Sequence, residues 1–82
     1  MNQVTALFFA TLRDRAGIKS VELQIPPKTN ISQFKSILID RYPALLDLLS
    51  HTLVAINHEY ALDDSIIPDH AEIGLFPPVS GG

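Results

Sequence analysis

The residues of this chain best placed to do chemistry are its last seven, Phe76-Pro77-Pro78-Val79-Ser80-Gly81-Gly82. Pro77 and Pro78 hold φ near −65° and push their predecessors towards extended conformations, while Gly81 and Gly82 have no side chains. The product is a stiff boom with a thin tip. A chain expected to stop at Gly82 offers the terminal carboxylate as its reactive group. A thin tip suits a narrow channel, because any Cβ near the terminus would collide with walls that must approach the reacting carbon. Carboxylates are poor electrophiles at neutral pH. ATP-dependent activation as an acyl adenylate would let a sulfur or amine nucleophile take the acyl group, making the protein a cosubstrate. The plain alternative is a frayed end, where small residues often collect.

Other chemistry is weakly supported. His51, His58 and His70 show no ligand spacing and no cysteine joins them, so they read as surface or turn residues and no metal is expected. Asp63, Asp64 and Asp69 lack the loop pattern of a calcium site and read as solvated turn residues. Arg13 and Arg15 fit an acidic partner or plain solvent equally well. A formal net charge of −3 without charge blocks argues against nucleic acid and gives no reason to bind anionic membranes. The apolar run Val4–Leu12 has neither the basic flank nor the cleavage site of a signal peptide, and nothing reaches the ~20 apolar residues of a membrane span. With no cysteine, these features place the protein in the cytoplasm.

The elements that must position the tail follow from periodicity. Eighty-two residues, 46% of them hydrophobic, allow one core. VTALFFATL, residues 4–12, reads as a strand buried on both faces or nearly so. Residues 13–17 break the pattern, and Ile18–Ile25 alternates as a half-exposed strand that pairs with the first as a hairpin. Pro26 and Pro27 end it. Asn30, with Gln33 three residues on, forms a capping-box signature for a helix whose inner face carries Phe34, Ile37, Leu38 and Tyr42, closed by Pro43. Residues 44–50 suggest a short second helix or a 3₁₀ turn laying Leu45, Leu48 and Leu49 on the core. LVAIN, residues 53–57, is a strand, HEYALDD a turn with a very short strand, and residues 71–76 a final strand with Ile73 and Leu75 on one face and Gly74 and Phe76 on the other. That order describes an α+β domain, a β-grasp (ubiquitin-like) mixed sheet covered by one main helix, over residues 1–76, with residues 77–82 as an extended tail.

Phe76, Pro77, Pro78, Val79, Ser80, Gly81 and Gly82 resemble the terminal signature of the small subunit of molybdopterin synthase, a sulfur carrier family. Leu7, Phe8, Phe9, Ala10 and Arg13 are similar to its opening LFFAxxRE, and Val54-Ala55-Ile56-Asn57 and Glu72 also match family positions. Two departures stand out. Asp69, His70, Ala71 and Glu72 occupy the place of an Asp-Gly-Asp-Glu turn, and Asp14 stands where Glu is common. The resemblance implies a non-catalytic subunit of a sulfurtransferase complex that binds no cofactor itself. An E1-like enzyme would adenylate the Gly82 carboxylate with MgATP, a persulfide donor would convert it to a thiocarboxylate, and the tail would insert into the large synthase subunit. There its sulfur would pass to cyclic pyranopterin monophosphate, within a heterotetramer. In this account Gly82 carries the reacting group, Gly81 keeps the approach clear, Pro77, Pro78, Val79 and Ser80 steer the tail, and Ser80 donates a hydrogen bond inside the channel. Phe8 and Phe76 are candidates for partner contact, against a general tendency of strand aromatics to be core.

Three competing functions fit the same residues. A sulfur carrier for another pathway, such as thiamine thiazole, shares fold and Gly-Gly. A lysine-conjugating modifier shares the activation and ends in an isopeptide. A β-grasp binding module would make no use of its terminus.

Overall fold

The first strand forms where the sequence alternates, not where it is merely apolar. A computed structural model describes residues 1–78, and β1 spans Asn2–Phe8 with Val4, Ala6 and Phe8 buried while Gln3, Thr5 and Leu7 point the other way. This corrects the expected two-sided burial over residues 4–12. The strand ends in a tight turn closed by the Leu12 N–H donating to the Phe9 carbonyl (3.1 Å), with Ala10 at φ 52°, ψ −126°. Those angles are the first central position of a type II′ turn, where glycine is usual. A short helix the sequence did not announce follows, α1 (Thr11–Ala16), which buries Leu12 and stops at left-handed Gly17 (φ 76°). The expected hairpin partner β2 (Ser20–Ile25) pairs antiparallel with β1, from Asn2 opposite Ile25 to Leu7 opposite Ser20.

Helix α2 (Ile31–Arg41) starts as expected. Asn30 Oδ1 accepts from the Gln33 N–H (2.8 Å) and Gln33 Oε1 from the Asn30 N–H (2.9 Å). The remaining free donors of the first turn are met by the loop before the last strand: Ile31 N–H donates to the Ser65 carbonyl and Ser32 N–H to the Asp63 carbonyl. Phe34 and Leu38 are fully buried and Ile37 and Tyr42 pack on them; Ile31 completes the inner face. A 3₁₀ turn (Pro43–Leu45) and a one-turn helix α3 (Leu46–Leu49) then bury Leu45 and Leu49, with Leu48 against the same core.

Strands β3 (Leu53–Ile56) and β4 (Glu59–Ala61) form a hairpin on a two-residue turn, Asn57 and His58, both at positive φ. The last strand, β5 (Glu72–Phe76), lies between β1, to which it is parallel, and β3, to which it is antiparallel. The sheet order is β2-β1-β5-β3-β4, with α2 over one face, which is the β-grasp arrangement. No helix among the described residues is long and apolar enough to cross a membrane.

Candidate functional site

The last strand decides where the tail begins. β5 is the central strand and is hydrogen-bonded on both edges, so its end is a rigid base; the ladder stops at Phe76 because Pro77 has no N–H to donate. Pro77 is half-buried and Pro78 exposed. The other tail residues singled out from the sequence, Val79, Ser80, Gly81 and Gly82, lie outside the described residues.

Around this exit the outer sheet face divides in two. On the β2 side it is polar, with Ser20, Glu22, Gln24, Gln3 and Thr5. On the β5–β3–β4 side it is apolar: Phe9 is 40% exposed, Leu53 41% and Tyr60 78%. Phe9 and Phe76 stack with ring centroids 4.6 Å apart and planes 7° from parallel. An exposed apolar patch of this kind, beside the end of the last strand, has the character of a docking surface.

The two aromatic contact candidates part company here. Phe76 stands on the outer face, beside the tail. Phe8 does not: it is 2% exposed, packed edge-on against Tyr42 (5.7 Å) in the core under α2. Phe9 is the outward residue, along with Leu53 and Tyr60, none of them among the contact candidates the sequence named. The signal was present as parity, because Val4, Ala6 and Phe8 share one face and Leu7 the other, but the unbroken apolar run of LFFA hid it.

A notch of about 210 Å³ sits in this apolar half, walled by Leu7, Phe9, Tyr60 and Phe76, with Gly74 at its floor and Glu72 and His58 at one end. Gly74 leaves room for the Phe76 ring, which a Cβ there would meet at 3.0 Å. Glu72 is held by backbone exchange with the hairpin turn, Asn57 N–H donating to the Glu72 carbonyl (2.8 Å) and Glu72 N–H to Asn57 Oδ1 (2.9 Å). Its carboxylate lies 3.6 Å from His58 Nε2.

Polar residues elsewhere do structural work. Asp69 Oδ1 accepts from the backbone N–H of Gln3 (2.8 Å) and of His70, and the Gln3 N–H, helped by the His70 charge, holds its carboxyl below the ordinary 3.8 against a smaller opposing effect of desolvation. His70 itself sits at φ 61°, so the turn that departs from the family's glycine still takes the left-handed conformation. Arg15 donates to the Ala44 carbonyl (3.3 Å), tying α1 to the 3₁₀ turn. His51, His58 and His70 are all exposed.

Residues 6–82 match the model of the ThiS family. The chain belongs to the ThiS family. Among relatives of this ThiS-family chain, the molybdopterin synthase sulfur carrier subunit of Dictyostelium discoideum is 35% identical, over 99% of this chain and 98% of its own length. That of Caenorhabditis briggsae is 30% identical over the whole of both chains. Among solved structures, the small archaeal modifier protein SAMP1 of Haloferax volcanii superposes with a TM-score of 0.85 at 28% identity, covering 98% of this chain and 99% of that one.

Proposed function

We propose that this ThiS-family protein is the sulfur carrier subunit of molybdopterin synthase, a non-catalytic subunit of a cytoplasmic sulfurtransferase complex. The observation that carries the reading is the placement of Phe76-Pro77-Pro78 at the end of the central strand, at the rim of an apolar docking face, in a chain whose relatives bear that name.

The chemistry proceeds on the main chain. The Gly82 carboxylate attacks the α-phosphate of ATP on an E1-like enzyme and pyrophosphate leaves; the terminal sulfur of a persulfide then takes the acyl group and AMP leaves, and a second thiol attacks the donor-side sulfur of the resulting acyl disulfide, forming a disulfide and releasing the thiocarboxylate. Pro77 and Pro78 extend the exit so that Val79, Ser80, Gly81 and Gly82 enter a channel of the large subunit, where the sulfur passes to cyclic pyranopterin monophosphate. The apolar half of the sheet, through Phe9, Tyr60 and Phe76, docks against the large subunit. Intact mass of the protein purified from cells with an active pathway tests this. A species heavier by one sulfur-for-oxygen exchange, mapped to Gly82, is expected; carboxylate alone, even after incubation with activating enzyme, MgATP and a sulfur donor, overturns it.

The likeness to an archaeal modifier at 28% identity favours a second reading, in which the same activated Gly82 ends on a lysine of another protein. It predicts isopeptide remnants of Gly81-Gly82 on lysines in digests of cell protein.

A further inference from the structure

The notch on the outer sheet face has a polarity that hydrophobic docking alone does not explain. Its walls are aromatic, yet one end is closed by a carboxylate, Glu72, and at about 210 Å³ it is smaller than the roughly 300–1,000 Å³ of small-molecule pockets. It has the size of a side-chain site. The geometry points to an arginine of the docking partner as its occupant: the guanidinium pairs with Glu72 while its plane and stem lie on Tyr60 and the Phe9–Phe76 pair.

Three observations support the choice. The Glu72 main chain is fixed at both N–H and carbonyl by Asn57, so the point from which its carboxylate projects is set before any partner arrives. The carboxylate meets only His58 Nε2 among the described residues, at 3.6 Å, and His58 is an exposed side chain that moves aside at small cost. Tyr60 is 78% exposed and Gly74 has no Cβ to crowd the Phe76 and Phe9 rings, so a flat cation can lie against the aromatic surface. Arginine fits better than lysine because it stacks on aromatic faces and pairs with carboxylates through two parallel N–H bonds. The face would thus read charge at Glu72 and shape at Gly74, with the tail exit two residues beyond at Phe76.

The inference rests on the reading of this face as a partner surface, and its test is separable from that of sulfur transfer. Isotopically labelled full-length protein is titrated with N-acetyl-arginine amide and, in parallel, with N-acetyl-citrulline amide, which keeps the shape and loses the charge. The amide signals of Glu72, His58, Gly74 and Tyr60 should move together with the arginine probe, stay put with citrulline, and stay put with arginine in Glu72→Gln. Glu72→Gln should also weaken binding to the large synthase subunit by about tenfold or more, with the gap closing as salt rises. Equal response to citrulline, a response that survives Glu72→Gln, or no response at these amides would overturn the arginine site. If the sulfur-for-oxygen mass shift appears while the arginine response does not, the carrier reading stands alone; the reverse pattern leaves the site standing without the carrier chemistry.

Discussion

At the scale of single residues, neighbours of one type divide between stability and function. Phe8 ends β1 facing the core and Phe9, the next residue, faces outward, so Phe8→Ala should cost about 3–5 kcal/mol of stability, the usual loss for a buried aromatic. Phe9→Ala forfeits mainly a half-exposed stack and should cost about 1 kcal/mol while weakening large-subunit binding. Denaturant melts alongside binding curves separate the two; equal losses of stability would contradict the assignment of faces. Ala10 shows strain kept at the turn that follows them. At φ 52°, ψ −126° it holds a conformation that costs a non-glycine residue roughly 1–3 kcal/mol. Glycine there relieves this and pays part of it back as unfolded-chain entropy. Ala10→Gly should therefore raise stability by about 1 kcal/mol, read as a higher urea midpoint at unchanged slope.

At the scale of elements, the long loop before β5 organises both the helix start and the sheet. Its carbonyls at Asp63 and Ser65 receive the first N–H groups of α2, and its end, at Asp69 and His70, exchanges hydrogen bonds with Gln3 at the start of β1. The Asp69 carboxyl is held below 3.8 chiefly by the Gln3 N–H, so the folded state takes up this proton less readily than the unfolded chain. Its contribution is complete above the unfolded value and is lost as pH falls through the lower folded value. Urea midpoints measured down through this acid range should fall for the wild type, and Asp69→Asn should remove part of that fall. An identical pH profile for the variant would show that the Asp69 tie does not contribute.

At the scale of the whole molecule, the described core runs from Val4 to Leu75 and uses only one face of the sheet, through which α2, the 3₁₀ turn and α3 pack. Half of the other face remains apolar and exposed, on a chain so short that it buries only about 60–65% of its unfolded surface. Leaving Phe9, Leu53 and Tyr60 in water makes physical sense when a partner covers them. Deleting Gly81 and Gly82 should leave the melting temperature and the binding of the docking face within error of wild type, while sulfur transfer is abolished. Retained transfer by the deletion would remove the tail from the mechanism.

Several features were legible in the sequence because their causes are local. The capping box at Asn30 and Gln33, the inner stripe Phe34, Ile37, Leu38 and Tyr42, and the alternation of Ile73, Gly74, Leu75 and Phe76 depend on neighbours within one or two turns of chain. The tertiary structure decided what depends on contacts distant in sequence. It put Phe8 inside and Phe9 outside, because strand parity is set by the side on which α2 packs. It folded Thr11–Ala16 into a helix, since Leu12 is fully buried there, and it set Gly74 beside the Phe9–Phe76 stack, in one notch with Glu72 and His58. Residues from β1, β3, β4 and β5 meet at that notch only because the central strand places them side by side, and no local pattern carries that information.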